Sequence, residues 1–552
     1  MLNRWLAQAL VSFRAGPVAD GKTAAVVAIG NDAGDLDSLV SSIAMADWQP
    51  VGGCGNWPLW VPVAPFARAD FRLRQDACLL FRHVGLEFDN TIGAPTSMQF
   101  LDSVDAEESA CWRDAGGLGM ALVDHNACTA DVAALFGERV VAIIDHHNDE
   151  QRHIDPTPPD PPDTLSAMVA ASPQLRIIEP KVGSTCSLLA ELMDGAGAGG
   201  GLSSRSGELC VLLLSAIAGA SLALRPNNCL PTSNAQAPMA AISNPAAVDT
   251  RGFDPKLLGV KYAAADVRAA QKLYTALGAG VPRRLPPINR PGVSLAPPQR
   301  RSPRLNPSRA IAPHTPSLNG LTWPSMTFSD RLPLIIGTNT RPGSEGHELV
   351  LEAILALRDV ELPDAARVGG ASSISELSDT LLAARYDVRA LSTLELMRWD
   401  YKEGVRAARI GGGQMAVGIA AICETRDELV ARSGGARGLQ DDMAAAAERR
   451  GGLDVLFALT KEDAAGGRKA LVALCPADAS GGAEAEALLD ALAGVPTLTD
   501  ALATNGLFEA QGIAEEGFGI QWEAVAGAPR LRTTSLREVI TRKTLMPATL
   551  QL

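Results

Sequence analysis

Aromatic residues make up only 4% of this 552-residue chain, and it has seven histidines. Few aromatics beside abundant alanine, glycine and leucine argue against a β-sandwich and for helices packed on an open α/β sheet. There is no excess of positive charge. A formal net charge of −13 excludes a general nucleic-acid coat, yet a polyanionic substrate remains compatible if metals and a few cations are concentrated locally. No run of some 18 uncharged apolar residues occurs, so no membrane span is expected. Nine scattered cysteines without a CxxC pair offer no zinc-ribbon spacing and suit a reducing, cytoplasmic compartment. The opening MLNRWLAQALVSFRAG lacks the apolar core of a secretory signal. A surface helix opening the first domain is preferred over a mitochondrial or plastid transit peptide.

The length predicts at least two domains. KTAAVVAI at 22–29 reads as a buried strand that runs into GNDAGDLDS and then into LVSSIAMADW, which has helical spacing. Strand, glycine-containing turn and helix form the βα unit of a parallel sheet, whose ligand edge lies at the strands' C-terminal ends. GLGMALVDHN and ERVVAIIDHHND repeat this grammar, with CTADVAALFG as a helical crossover. Helices are expected at 182–193 and 263–277, and ELCVLLLSAIAGA reads as a helix or a buried strand. Residues 225–248 look like a polar insertion. From 280 to 330 the chain is rich in Pro, Arg and Ser, the composition of a linker; a solvated basic linker is preferred over a docking segment for an acidic partner. Beyond it, 331–552 reads as a second α/β unit. Its helices are expected near 348–357, 393–408, 483–492 and 535–540, with strands at 415–423 and ending at Cys475. The glycine tracts at 195–201 and 411–413 are read as turns.

Three of the seven histidines, His125, His146 and His147, fall in DHN and DHH motifs at the ends of apolar runs. Asp35 and Asp37, two apart on an extended turn, are expected to point the same way. Hard carboxylate oxygens with one or two imidazoles suit Mn²⁺ or Mg²⁺ better than a thiolate-seeking metal. Singly, each acid is as readily a helix N-cap, and a His pair is more often a packing feature. The combination of DxD, DHN and DHH, in that order at strand ends, favours a metal site.

GNDAGDLDSLVSSIA, LVDHN, IIDHHND and KVGSTCSLL together resemble the four N-terminal signatures of the DHH phosphoesterase superfamily. LSTLELMRWDYKE followed by MAVGIAAI, and the closing TRKTLMP, resemble the second type of DHH-associated C-terminal domain. The resemblance implies an α/β fold in which a parallel-sheet DHH domain (1–279) and a smaller C-terminal domain (331–552) flank an active-site cleft. Of the two branches that pair these domains, manganese-dependent pyrophosphatases and exopolyphosphatases of the fungal and prune type, the second fits better, because Asn31 stands where the first carries His. An amide there weakens one metal's grip and favours Mg²⁺ alongside Mn²⁺.

Carried over, the resemblance implies two divalent ions held by Asn31, Asp35, Asp37, Asp124 and His146, with Asp124 as the bridge. It implies that His147, Arg542 and Lys543 bind phosphate, that Asp145 orients its neighbours, and that Arg398 and Lys402 belong to the substrate-binding segment or only pack the domain. One family acid is missing at Ala220. Asp249 is the expected replacement, since DTRGFDPK and the later Asp266 resemble the family's run after that acid. The implied activity is hydrolysis of terminal phosphoanhydride bonds of inorganic polyphosphate, or of pyrophosphate or nucleotides, with a non-catalytic scaffold as the other reading.

Overall fold

The computed structural model describes residues 1–17, 24–49, 59–115, 117–153, 175–180, 182–195, 201–222, 264–278, 353–354, 357, 359–407, 414–461, 469–475, 485–490 and 522–536. The expected linker, the 225–248 insertion, Asp249, Arg542 and Lys543 lie outside the described residues, as does the side chain of Lys402.

Strand β1 (Ala25–Ile29) is buried at every position, as a short alanine and β-branched run should be when helices cover both faces of a sheet. It pairs in parallel with β2 (Leu59–Ala64) on one side and β6 (Leu118–Val123) on the other. Between them in sequence lie a two-stranded ladder, β3 (Phe88–Asp89) with β4 (Ala94–Pro95), and the edge strand β5 (Gln99–Phe100). Strands β7 (Val140–Asp145) and β8 (Leu175–Ile178) complete a six-stranded sheet in the order β5-β2-β1-β6-β7-β8, parallel throughout. The chain first moves outward from β1 to β2 and β5, then returns to place β6 on β1's other flank. The gap between the ends of β1 and β6 is therefore the topological switch point, the place where open α/β sheets hold ligands.

The two-residue side-chain period splits β1 between two cores. Val26 and Ala28 join the helices α2 (Leu36–Trp48), α3 (Gln75–His83), α6 (Thr185–Gly195), α7 (Gly207–Ile217) and α8 (Ala264–Ala276). Ala25, Val27 and Ile29 face the other core, with Phe13 of α1 (Leu2–Arg14), Trp112 of α4 (Ala106–Asp114), and Val132 and Phe136 of α5 (Ala130–Phe136). Phe13 and Trp112 stack at 5.8 Å, and Trp112 Nε1 donates to the Phe13 carbonyl at 3.0 Å. The opening segment is thus a packed helix. The ambiguous ELCVLLLSAIAGA run is helical, since α7 has nine buried residues and an N-cap from Ser206 to Leu209 N.

Described residues up to Ala384 belong to this first unit, and those from Arg385 to the second, apart from Leu73–Gln75, which group with it. The second unit is a six-stranded mixed sheet in the order β13-β14-β12-β11-β10-β9. Its strands are β9 (Tyr401–Ala407), β10 (Gln414–Thr425), β11 (Val455–Lys461), β12 (Lys469–Leu474), β13 (Glu523–Val525) and β14 (Ala528–Leu536). Its core joins Ala420, Leu456 and Val472 to Leu396, Leu429 and Met443 from helices.

Two expectations are corrected here. The helix expected over 393–408 ends at Trp399, because Tyr401–Ala407 pairs antiparallel with β10 instead; sheet pairing overrides helical spacing. Ser535, expected to open a helix, lies in β14 and pairs with Ala470. Among the described residues no helix is long and apolar enough to cross a membrane.

Candidate metal centre

Strand β1 is followed by Gly30, where a side chain has no room: a Cβ would stand 2.7 Å from Ser38 Cβ and 2.9 Å from the Ser38 carbonyl oxygen. This close approach brings the start of α2 against the strand end. The turn between them is not extended, as the two-apart spacing of Asp35 and Asp37 suggested. Asp35 is the N-cap of α2, accepting from Ser38 N at 3.1 Å, and Asp37 sits in the first helical turn. The helix start favours negative charge at both.

Asp37 is buried and heavily hydrogen-bonded. Its Oδ1 accepts from Ser184 Oγ at 2.7 Å and Cys186 N at 3.1 Å, and its Oδ2 from Thr185 N at 2.9 Å. Burial, and then the charge of Asp124, push its carboxyl up to about 6. Asp124 follows β6 in the left-handed region, φ 62°, a conformation that costs a residue with a Cβ about a kcal/mol or more and collects at functional sites. Its carboxylate accepts from Asn31 Nδ2 at 2.7 Å, Ser38 Oγ at 2.6 Å and Thr185 Oγ1 at 3.2 Å. Burial works to raise Asp124, but hydrogen bonding from His146 and the neighbouring imidazole charges outweigh it and hold the carboxyl well below the usual range. Of the two carboxyls, Asp124 is the one that ionises at lower pH.

The DHH motif closes β7. His146 Nδ1 lies 3.0 Å from the Val182 carbonyl, which can only accept, so Nδ1 carries the proton. Its Nε2 then turns toward Asp124 Oδ1 at 3.1 Å and Asp37 Oδ2 at 3.9 Å. With Nδ1 alone protonated, Nε2 would set a lone pair against the carboxylate oxygen, so the contact is favourable only with a cation between them: a second proton, which is what holds Asp124 low, or a metal ion in its place. Asp124, His146 and His147 each offer a ligand atom within 4.8 Å of the others. The donor set, carboxylate with imidazole, thus fits a divalent cation. His147 is tied back to Asp145, whose Oδ1 lies 2.8 Å from His147 Nδ1 and accepts from His147 N at 3.0 Å, and whose Oδ2 accepts from Asn126 Nδ2 at 2.5 Å. Burial acts to raise the Asp145 carboxyl, and the hydrogen bond and charge of His147 more than offset it, so it is held low.

The structure brings Asn31, Asp37, Asp124, Asp145, His146 and His147 into one network. Asn31 offers it a donor: its Oδ1 accepts from Ala33 N and Gly34 N, leaving the NH₂ to face Asp124. Asp35 stands next to the network with its carboxylate on the helix cap. His125 is outside it, with Nδ1 against the Val123 carbonyl. Arg398 lies on the helix Thr393–Trp399 of the second unit. At the position of the missing acid, Ala220 is exposed, and Ser221 Oγ donates to Ile217 O within its own turn. Sequence reasoning gave no role to Ser38, Ser184 and Thr185, whose hydroxyls organise the two central acids; the VGST turn was the available signal.

Residues 379–549 match the DHHA2 domain family. Over that stretch the chain is similar to a DHHA2 domain. It is also 31% identical over 130 residues to the exopolyphosphatase PRUNE1 of Rattus norvegicus, covering 24% of this chain and 26% of that one. Over the same length it is 32% identical to the Bos taurus protein and 30% to that of Mus musculus, with the same coverage. The chain thus spans about a quarter of the length of the curated relatives it matches. A Methanococcus jannaschii protein assigned to the family II inorganic pyrophosphatases aligns over 95% of this chain and 98% of its own, at 14% identity and a TM-score of 0.43. The resemblance to the DHH superfamily and its prune-type branch is borne out by the domain match and the PRUNE1 relatives.

Proposed function

We propose that this chain is a metal-dependent phosphoanhydride hydrolase that releases orthophosphate from the ends of inorganic polyphosphate. The observation that carries this reading is the buried network at the β1/β6 switch point, where Asp37, Asp124 and His146 Nε2 converge. Asp37, Asp124 and His146, with Asp35 beside them, would hold two divalent ions, Mn²⁺ or Mg²⁺. When bound, such ions neutralise phosphate charge and make water a competent nucleophile near neutral pH.

The chain's own groups divide the remaining work. Asp124, held by three side-chain donors, keeps its negative charge and so serves as the shared anchor. Asp145 fixes the His147 ring through Nδ1, and Nε2 would hydrogen-bond a phosphate oxygen or hold a proton for it; the ring is 25% exposed, whereas His146 is nearly enclosed. Asn31 turns its NH₂ on Asp124 and would leave one position around the ions less tightly held. Asp249 is proposed as the further acid of the site, and Arg542 and Lys543 as the cations that receive the phosphate chain, a guanidinium fork and an ammonium being suited to that task.

The test is orthophosphate release from long-chain polyphosphate, tripolyphosphate and pyrophosphate, each with Mn²⁺ or Mg²⁺. The expected result is release from the polyphosphates, abolished by a chelator and restored by the ion. Pyrophosphate as preferred substrate would move the protein to the pyrophosphatase chemistry of the same superfamily. No release from any of the three would leave a non-catalytic scaffold.

A further inference from the structure

Behind the network stands a second buried acid. Asp266, in the first turn of α8, is 0% exposed. Its Oδ2 accepts from Gly183 N at 3.1 Å and its Oδ1 from Ser187 Oγ at 2.5 Å. Those two donors bracket Ser184 Oγ and the Thr185 and Cys186 amides that serve Asp37 and Thr185 Oγ1 that serves Asp124, and the first of them directly follows Val182, whose carbonyl meets His146. One short segment therefore sets the position of three site residues, and Asp266 grips it at both ends.

We propose that Asp266 is a positioning residue, which holds the Gly183–Ser187 turn so that Asp37, Asp124 and His146 converge on one cation. A plain tie between α6 and α8 is already present elsewhere: Glu191 pairs with Arg268 at 3.4 Å and Lys272 at 3.2 Å. Asp266 grips the start of α6, on the turn that meets the site, while Glu191 grips the middle of the same helix. Groups that orient metal ligands from behind are worth about 10- to 100-fold in metal affinity or activity when removed. The proposal rests on the metal-site reading above but not on the substrate.

The experiment titrates Mn²⁺ into the full-length chain, free ion being followed by electron paramagnetic resonance, with thermal melting in parallel. Asp266→Ala is expected to weaken Mn²⁺ binding about tenfold. Asp266→Asn recovers most of that loss, because the amide oxygen still accepts from Gly183 N and the Ser187 hydroxyl can accept in turn. Glu191→Gln is expected to lower the melting temperature and leave Mn²⁺ affinity unchanged. If Asp266→Ala does not fold, Ser187→Ala, which removes one hydrogen bond, carries the test and should weaken binding in the same direction. Asp266→Ala or Ser187→Ala with wild-type Mn²⁺ affinity and only a lower melting temperature would overturn the proposal. Wild-type protein that binds Mn²⁺ but releases no phosphate would instead sink the hydrolase reading and leave the Asp266 comparison standing.

Discussion

Two regions of this protein bury acids in opposite ways. In the second unit, Glu424 lies against the Arg432 guanidinium, which also donates to the Leu391 carbonyl, so the charge is neutralised by a fixed partner. At the β1/β6 switch point, Asp37 and Asp124 are buried deeper, and among the described residues neither pairs with a lysine or arginine. They are served by hydroxyls, backbone amides and imidazoles. A carboxylate cluster that spends hydrogen bonds but leaves its charge for a cation is costly to fold and useful only when something completes it. The Glu424 pair is finished by the chain itself.

Exchanging an acid at each place should separate these roles. Asp124→Asn is expected to cost about a thousandfold or more in phosphate release and to abolish Mn²⁺-induced thermal stabilisation. Glu424→Gln should leave phosphate release within about twofold while destabilising the fold by about 2 kcal/mol, less than a fully buried pair would show, or about 5 °C in melting temperature. If both variants lost activity equally, the contrast between the regions would be wrong.

Gly30→Ala probes how the unfinished cluster is aimed. The added methyl must displace Ser38, which donates to Asp124. Phosphate release should fall about 10- to 100-fold, since misplacing a reacting geometry by about 1 Å costs that much. The smallest expected effect is on pH. Burial and Asp124 raise the Asp37 carboxyl to about 6, so below that pH a proton occupies the group and an ion must displace it. Mn²⁺ affinity should therefore fall by up to about tenfold per pH unit as pH drops below 6, and level off above it. An affinity flat from pH 5 to 8 would remove Asp37 from the ion's ligands.

Much of the first unit was legible because its strands are apolar runs cut off sharply by acids and imidazoles. VVAIIDHH and ALVDHN announce both the buried strand and the place where its chemistry is delivered. The DxD turn was read less well: Asp serves equally as helix cap and as ligand, and the spacing of Asp35 and Asp37 cannot tell an extended stretch from the first turn of a helix. The segment after Trp399 keeps helical spacing in sequence but finds a better partner in β10, a contact made across the chain that no local pattern encodes. Asp266 was noticed only as part of a family-like run; its hold on Gly183 and Ser187, some eighty residues away, escaped for the same reason. Local patterns marked the acids and imidazoles at the strand ends; the groups behind them are assembled by the fold.

The most direct measurement is anomalous diffraction at the manganese edge from crystals grown with Mn²⁺. A peak is expected within bonding distance of Asp124 and His146 Nε2, with Asp37 beside it, and should disappear in Asp124→Asn. Saturating Mn²⁺ with no anomalous density in that pocket, or density at a site formed by other residues, would contradict the metal-site reading.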